Sequence, residues 1–484
     1  MPDGEERVPE NPRTKETGVP KNATAILGGP GGRPMPRGSR EFVTPDTVGL
    51  LVDLYELTMA QCYFREGKNE PATFDLFVRA LPPNRTFLLS AGLETVLDYL
   101  EGLHFSREAL DYLRSLGLFD AEFLDYLRRF RFTGDVRALP EGEVFFPPEP
   151  VLQVTAPRIE AQIVETFLLN QVNFQVMVAT KAARVVLAAR GRPVVDFSPR
   201  RDHGVDAALK VARSSYLAGC VGTSNVLAGM VYGIPVYGTM AHSYVMSFDS
   251  ELEAFRAYAR HFPDQCVLLI DTYDTLEGAR LAAQVADELR ASGHRLRAVR
   301  IDSGDLLELS RQVRRILDEA GHPEVQILAS GDLNEYRIAD LVEAQAPIDA
   351  FGVGTEMGTS YDAPALGGVY KLVEDQSGYR IKRSTGKVTL PGRKQVWRVY
   401  RDGVLSEDVI TLADEPGPPG AEPLLVEVMA GGVRSVREGL QEARARAASR
   451  LRALPEPLRN LRDGPYPVHL GPRLEALFHR MASA

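Results

Sequence analysis

The sequence predicts an α/β protein, an irregular α/β barrel accompanied by an α+β domain built from both chain ends. Three observations lead there. From residue 192 to about 354, short apolar, β-branched runs alternate with helical patterns across short connections, which implies parallel strands. After Gly368 the alternation stops, and strand-like runs with hairpin-type turns such as Asp402-Gly403 resemble the N-terminal third more than the middle. At 484 residues the chain also exceeds one ordinary core. The expected divisions are a disordered tail over 1–44, the N-terminal part of the α+β domain over 45–190, the barrel over 191–368, and C-terminal strands and helices over 369–484.

The tail is rich in Pro, Gly and charge and holds too little apolar surface to offset its ordering entropy. Order is expected from Gly49, with a helix through Leu54, Leu57, Thr58 and Gln61 and Asp53 as its N-cap. Residues 72–79 alternate as a strand, 88–100 read as a helix, and 107–130 as two short helices around Gly117. Strand-like pieces follow at Glu143-Val-Phe-Phe and Val151-Leu-Gln-Val. A long apolar helix is then expected over 158–189. It carries Glu165, Asn170, Asn173, Gln175 and Lys181, polar residues that suggest packing against a second domain or subunit.

In the barrel, strands are expected at Pro193-Val-Val-Asp-Phe, Ile234–Tyr237, Cys266–Asp271, Arg297–Asp302, Val325–Ser330 and Ala350–Gly354. Helices are expected after residue 204, where Val205, Ala208, Leu209, Ala212 and Tyr216 share a face, and over 276–290, 306–319 and 334–344. Beyond the barrel, strands are expected at 369–374, 379–383 and 395–400, and a basic amphipathic helix over 437–453.

Composition narrows the function. A content of 44% hydrophobic and 25% charged residues is that of an ordinary soluble protein, and a net charge of −9 gives nucleic-acid binding no support. No apolar run approaches a membrane span, and the charged, proline-rich start is unlike a signal peptide. Cys62, Cys220 and Cys266 stand singly, without metal-ligand or disulfide spacing, which suits a reducing cytoplasm. The eight histidines form no His-x-x-x-His pair, so no metal is expected to be held by protein alone.

Ligands of parallel α/β folds bind past the C-terminal ends of the strands. Those positions hold Ser198-Pro-Arg200-Arg201, Thr239 with His242, Asp271-Thr272, Asp302-Ser-Gly-Asp305, Ser330-Gly331-Asp332 and Gly352-Val-Gly354-Thr355. Gly beside Ser, Thr or Asp lets backbone N–H groups approach an anion, and Arg200, Arg201 and Arg300 are fork-shaped donors for phosphate or carboxylate. A lone histidine is more often a core residue. Here the same strand-end placement of polar groups recurs, and His242 reads as functional. Helix capping explains Asp305, and Asp332 or Asn334, about as well as chemistry does, but it explains neither Arg300 nor Thr355. No Gly-x-Gly-x-x-Gly or P-loop competes, and Leu268-Leu-Ile-Asp-Thr-Tyr-Asp-Thr lacks the adjacent acidic pair of a Rossmann-type phosphoribosyl-pyrophosphate loop.

In its ordered motifs the chain resembles the nicotinate phosphoribosyltransferase family. They are Val52-Asp-Leu-Tyr-Glu-Leu-Thr-Met, Gly222-Thr-Ser-Asn, Gly238-Thr-Met-Ala-His-Ser, Val299-Arg-Ile-Asp-Ser-Gly-Asp, Phe351-Gly-Val-Gly-Thr and Lys387-Val-Thr-Leu-Pro-Gly-Arg-Lys-Gln. The resemblance implies a type II phosphoribosyltransferase-like fold and synthesis of nicotinate mononucleotide and pyrophosphate from nicotinate and phosphoribosyl pyrophosphate. It implies Mg²⁺, ATP as co-substrate, and a homodimer with shared active sites. It further implies phosphorylation of His242, nicotinate contacts from Tyr55, Thr239 and Arg300, and phosphate or phosphoribosyl contacts from Arg200, Asp302, Ser330, Gly331, Gly354 and Thr355. A nicotinamide phosphoribosyltransferase and a catalytically silent sensor of NAD metabolites on the same scaffold are the alternatives. The motif spacing favours the nicotinate enzymes over the first, and the presence of His242 and Arg300 disfavours the second.

Overall fold

The computed structural model describes residues 43–384, 389–461 and 464–483. The expected tail lies outside them except for residues 43 and 44, as do Lys387 and Val388 of the motif beginning at Lys387.

Among the described residues, six parallel strands form one sheet in the order Gly222–Thr223, Val194–Asp196, Ala350–Val353, Gln326–Ala329, Ala298–Ile301, Val267–Leu269. Each later strand follows a helix that covers the sheet, as in Thr275–Ala291, Leu306–Glu319 and Glu335–Glu343. Ile301, Ile327, Phe351 and Val353 are wholly buried, so these strands read as near-continuous apolar runs. Thr223 adds one further parallel bridge to Val236. No ladder joins Val236 to Val267–Leu269 among the described residues, and the barrel is irregular at that gap.

The expected buried strand at Ile234–Tyr237 is therefore corrected to a single bridge. Pro235 has no N–H to give a ladder. Its carbonyl accepts from Thr223 N at 3.1 Å, and Tyr237 N donates back to Thr223 O at 2.9 Å. Ile234 is buried, but Val236 and Tyr237 are 47% and 45% exposed.

The second sheet draws on both chain ends. Gly368–Asp375 pairs antiparallel with Pro71–Val78, which pairs with Pro150–Pro157, then Asp135–Ala138, then Val426–Ala430. A four-stranded sheet built on Lys394–Arg401 and Val404–Leu412 completes the C-terminal part. The helix Glu165–Ala188 links the two cores. Its Phe167, Leu168, Val172 and Val176 pack into the α+β core, while Ala179, Ala182, Ala183 and Val185 pack under the barrel. Each large apolar side chain so buried contributes about 1.5–3 kcal/mol. Of its polar residues, Glu165, Gln175 and Lys181 are buried, while Asn173 is half-buried and Asn170 exposed; Gln175 Nε2 donates to Thr95 Oγ1 at 3.2 Å, and Lys181 is ion-paired.

Several local expectations change. Residues 88–100 are a short strand, Leu88–Leu89, and then a helix, Leu93–Gly102, because Gly92 at φ +95° turns the chain before the helix starts. The long helix breaks at Val164 into Arg158–Ile163 and Glu165–Ala188. Asp53 precedes the helix Leu54–Arg65 but caps none of its N–H groups, and its Oδ2 accepts from Thr166 Oγ1 at 3.0 Å instead. The strand expected at 379–383 reduces to Gly378–Tyr379. Val226–Tyr232 and Glu251–His261 are helices without a counterpart in the sequence reading.

Candidate active site

At the C-terminal ends of the parallel strands, two adjoining cavities of about 460 and 150 Å³ share the walls Phe197, Arg200, Arg300 and Asp302. Thr239, His242 and Ser224 line the larger. Ser330, Gly331, Gly354 and Thr355 line the smaller, with Arg201 and Asp332. The fold thus gathers nine of the ten sequence-predicted site residues at the barrel mouth. The tenth, Tyr55, is on the helix Leu54–Arg65, 46% exposed, and lines neither cavity. Burial of its hydroxyl, and then the nearby carboxylates of Glu165, Glu56 and Asp53, push its pKa up.

Arg300 organises the shared wall. Its Nε donates to Ser330 Oγ at 2.8 Å, Nη1 to Thr239 Oγ1 at 3.0 Å and Met240 O at 3.4 Å, and Nη2 to Asp302 Oδ1 at 2.6 Å. All but one of the guanidinium N–H groups are then committed. The guanidinium also lies 5.5 Å from the centre of the Phe197 ring. Ser330 Oγ–H in turn donates a hydrogen bond to Asp302 Oδ1 at 2.5 Å, closing a three-residue ring. Burial works against the Asp302 carboxylate, but Ser330, Arg300 and His242 together hold its pKa below the usual carboxylate range.

His242 opens the short helix His242–Val245, next to the gap in the barrel. Its Nδ1 is 3.1 Å from Thr272 Oγ1, and its Nε2 faces Asp302 Oδ2 at 3.9 Å. The Asp302 turn is braced from below, since Asp271 Oδ2 accepts from Asp302 N at 2.9 Å and from Ser303 Oγ at 2.6 Å. Two glycines make the floor. A Cβ on Gly331, at φ +89°, would sit 1.9 Å from Asp302 O, and a Cβ on Gly352 would sit 2.4 Å from the Phe197 ring.

Arg200 and Arg201 project from the turn after Val194–Asp196, exposed and without an ion pair among the described residues. Buried Asp196 anchors that turn, accepting from Ser198 N, Ser198 Oγ and Thr223 Oγ1 at 2.9, 2.7 and 2.7 Å. Of the two carboxylates that capping explained, Asp305 is a cap, taking Leu307 N and Glu308 N at 3.1 Å each. Asn334 caps the next helix, which leaves Asp332 in the smaller cavity. Phe197 and Ser224 were missed as site residues. Their signal was adjacency, Phe197 preceding a strand-end cluster and Ser224 lying within the Gly222-Thr-Ser-Asn motif.

A wall of arginines above glycine turns, with a histidine beside a carboxylate, suits a phosphorylated, negatively charged substrate. Comparison with known proteins agrees. Residues 50–173 match the nicotinate phosphoribosyltransferase (NAPRTase) N-terminal domain, and residues 193–372 the nicotinate phosphoribosyltransferase (NAPRTase) family. The chain belongs to the nicotinate phosphoribosyltransferase family. It is 52% identical over 441 residues to nicotinate phosphoribosyltransferase pncB2 of Mycobacterium tuberculosis, covering 90% of this chain and 94% of the relative. With the nicotinate phosphoribosyltransferase of Bacillus subtilis it shares 44% identity over 384 residues, covering 76% and 77% of the two chains. The crystal structure of human nicotinic acid phosphoribosyltransferase superposes with a TM-score of 0.80 at 31% identity, over 89% of this chain and 99% of that one. The type II phosphoribosyltransferase fold follows from these matches, irregular barrel included.

Proposed function

We propose that the two adjoining cavities form one active site, the larger taking nicotinate and the smaller the phosphates of phosphoribosyl pyrophosphate. The reaction, nicotinate phosphoribosyl transfer in NAD biosynthesis, is that of the family. The ring nitrogen of nicotinate attacks the anomeric carbon, a C–N bond forms, and the bond to the departing pyrophosphate breaks. The centre passes through an oxocarbenium-like state, so the site's work is orientation and stabilisation of the leaving group. The observation that carries this reading is the Arg300 hub, which joins Thr239 in one cavity to Ser330 in the other. Arg300 and Thr239 orient the nicotinate carboxylate. N–H groups around Gly331, Gly354 and Thr355, with Arg200, hold phosphate.

The donor set also suits a divalent cation. Asp302 Oδ2 accepts no hydrogen bond among the described residues, and Asp271 Oδ1 is buried without a partner. Mg²⁺ favours one or two carboxylates with phosphate oxygens, and Asp302 is the residue that would hold it. Bound there, it would neutralise charge developing on pyrophosphate. His242 is the acceptor for the γ-phosphoryl of ATP. With Nδ1–H donating to Thr272, the Nε2 lone pair is left to attack phosphorus, forming an N–P bond as ADP departs.

The working assembly is a homodimer in which Tyr55 of one chain closes the partner's nicotinate cavity. Supporting this, Val226, Leu227, Met230 and Val231, on the helix after the Gly222-Thr-Ser-Asn motif, are 49–77% exposed, beside exposed Val236 and Tyr237. No helix among the described residues is long and apolar enough to cross a membrane. The three free cysteines support action in the cytoplasm.

Incubation with γ-labelled ATP tests the His242 assignment. The account expects an acid-labile, base-stable label on the protein that disappears in His242→Ala. Label persisting in that variant removes His242 from the phosphoryl path.

A further inference from the structure

Behind the smaller cavity lies an ionic cluster that neither the family reaction nor the cavity walls account for. Lys181, wholly buried on the long helix Glu165–Ala188, places Nζ 2.6 Å from Glu335 Oε2 and 2.9 Å from Asp362 Oδ1. Arg184, one turn on, donates through Nε to Glu335 Oε1 at 3.0 Å and through Nη2 to Tyr336 Oη at 3.2 Å. Arg85 reaches from the loop after the first sheet strand. Its Nη1 and Nη2 grip Asp362 at 2.9 and 2.8 Å, and Nη2 also donates to Ser360 Oγ at 2.8 Å.

The placement of the two carboxylates gives the cluster its meaning. Glu335 is the first residue of the helix that follows the Ser330-Gly331-Asp332 turn. Asp362 follows the short helix Thr355–Gly358, which opens at the Gly354-Thr355 turn. Both turns line the smaller cavity. Lys181 is therefore a single ammonium that ties the start of the helix after one glycine turn to the segment beyond the short helix after the other, from a helix belonging to neither.

Stability alone does not require this. Buried ion pairs seldom outperform well-packed apolar side chains of similar volume. Here three buried cations face two carboxylates, Glu335 buried and Asp362 partly exposed, an excess of one positive charge with little water to screen it. The same excess favours an anion bound nearby.

We propose that Lys181 is a positioning residue for the phosphoribosyl substrate, holding the Ser330-Gly331 and Gly354-Thr355 turns in register so that both face one anionic ligand. The inference rests on the assignment of the smaller cavity to phosphate, and the experiment separates the two. Steady-state KM values for phosphoribosyl pyrophosphate and for nicotinate are measured in Lys181→Met, Lys181→Arg and Thr355→Asp, with melting temperature alongside. Thr355→Asp adds negative charge in the cavity and tests the assignment. Lys181→Met should raise KM for phosphoribosyl pyrophosphate by about tenfold, with KM for nicotinate moving less than about twofold. Lys181→Arg should recover part of the loss, because it keeps the charge. If Lys181→Met does not fold, the double variant Lys181→Met/Glu335→Met leaves no carboxylate stranded and should show the same selective rise.

A rise in Thr355→Asp without one in the Lys181 variants would overturn the inference and leave the cavity assignment standing. No rise in Thr355→Asp would overturn the assignment, and the inference with it. Equal rises in both KM values for Lys181→Met would show a general loss of structure and likewise overturn the positioning role.

Discussion

Arg300 and Asp302, two residues apart on one strand end, are joined by a 2.6 Å ion pair that Ser330 also bridges. The pair fixes the guanidinium plane before substrate arrives, so orientation is built into the free protein. A single Nη2–H remains uncommitted; in the proposed function it meets the nicotinate carboxylate, and a charge-assisted bond of this kind contributes about 1.5–3 kcal/mol. Arg300→Ala should raise the nicotinate KM by about tenfold or more. Arg300→Lys should rescue little, since one ammonium cannot reach Ser330, Thr239 and Asp302 in that planar arrangement. Full rescue by lysine would show that only the charge matters.

A buried carboxyl makes stability depend on pH. Glu149 is wholly buried beside Asp408, which is already engaged by Arg398 at 2.9 and 2.6 Å. Burial first, and then the Asp408 charge, push the Glu149 pKa well up. The folded state thus holds a proton that the unfolded chain releases above roughly pH 4.3. This contribution to stability is fully present below that pH and is lost as pH rises toward the raised folded value. Glu149→Gln, neutral at every pH, should gain stability over the parent as pH climbs through that window. Urea unfolding at a series of pH values measures the difference, and a pH-independent gap would contradict the assignment.

Sharing of the site between subunits can be tested by complementation. Tyr55→Ala and His242→Ala homodimers should each be impaired. After subunit exchange, mixed dimers should regain part of the activity, because each then holds one intact site. With exchange verified and no activity returning, Tyr55 and His242 would belong to the same chain's site.

Much of this was legible in the sequence because strand-end residues of a parallel barrel converge by topology alone. Once the βα alternation was read, Thr239, Arg300, Asp302, Ser330 and Thr355 had to share one mouth. What periodicity could not give was the gap between Val236 and Val267–Leu269, because Ile234-Pro-Val-Tyr is apolar like a strand and only Pro235 marks it as a bridge. Asp53 was misread as a cap because capping competes with tertiary contacts, and Thr166 lies more than a hundred residues away. The Lys181 cluster was visible only as a charge out of place in an apolar helix. Its partners come from the loop at Arg85 and from two separate turns, contacts that no local pattern encodes.

The measurement closest to the central claim is product formation from phosphoribosyl pyrophosphate and Mg²⁺ with nicotinate or nicotinamide, each with and without ATP. The account predicts nicotinate mononucleotide and pyrophosphate from nicotinate, faster with ATP, and little product from nicotinamide. Equal use of nicotinamide, or no product from nicotinate with correctly folded protein, would contradict it.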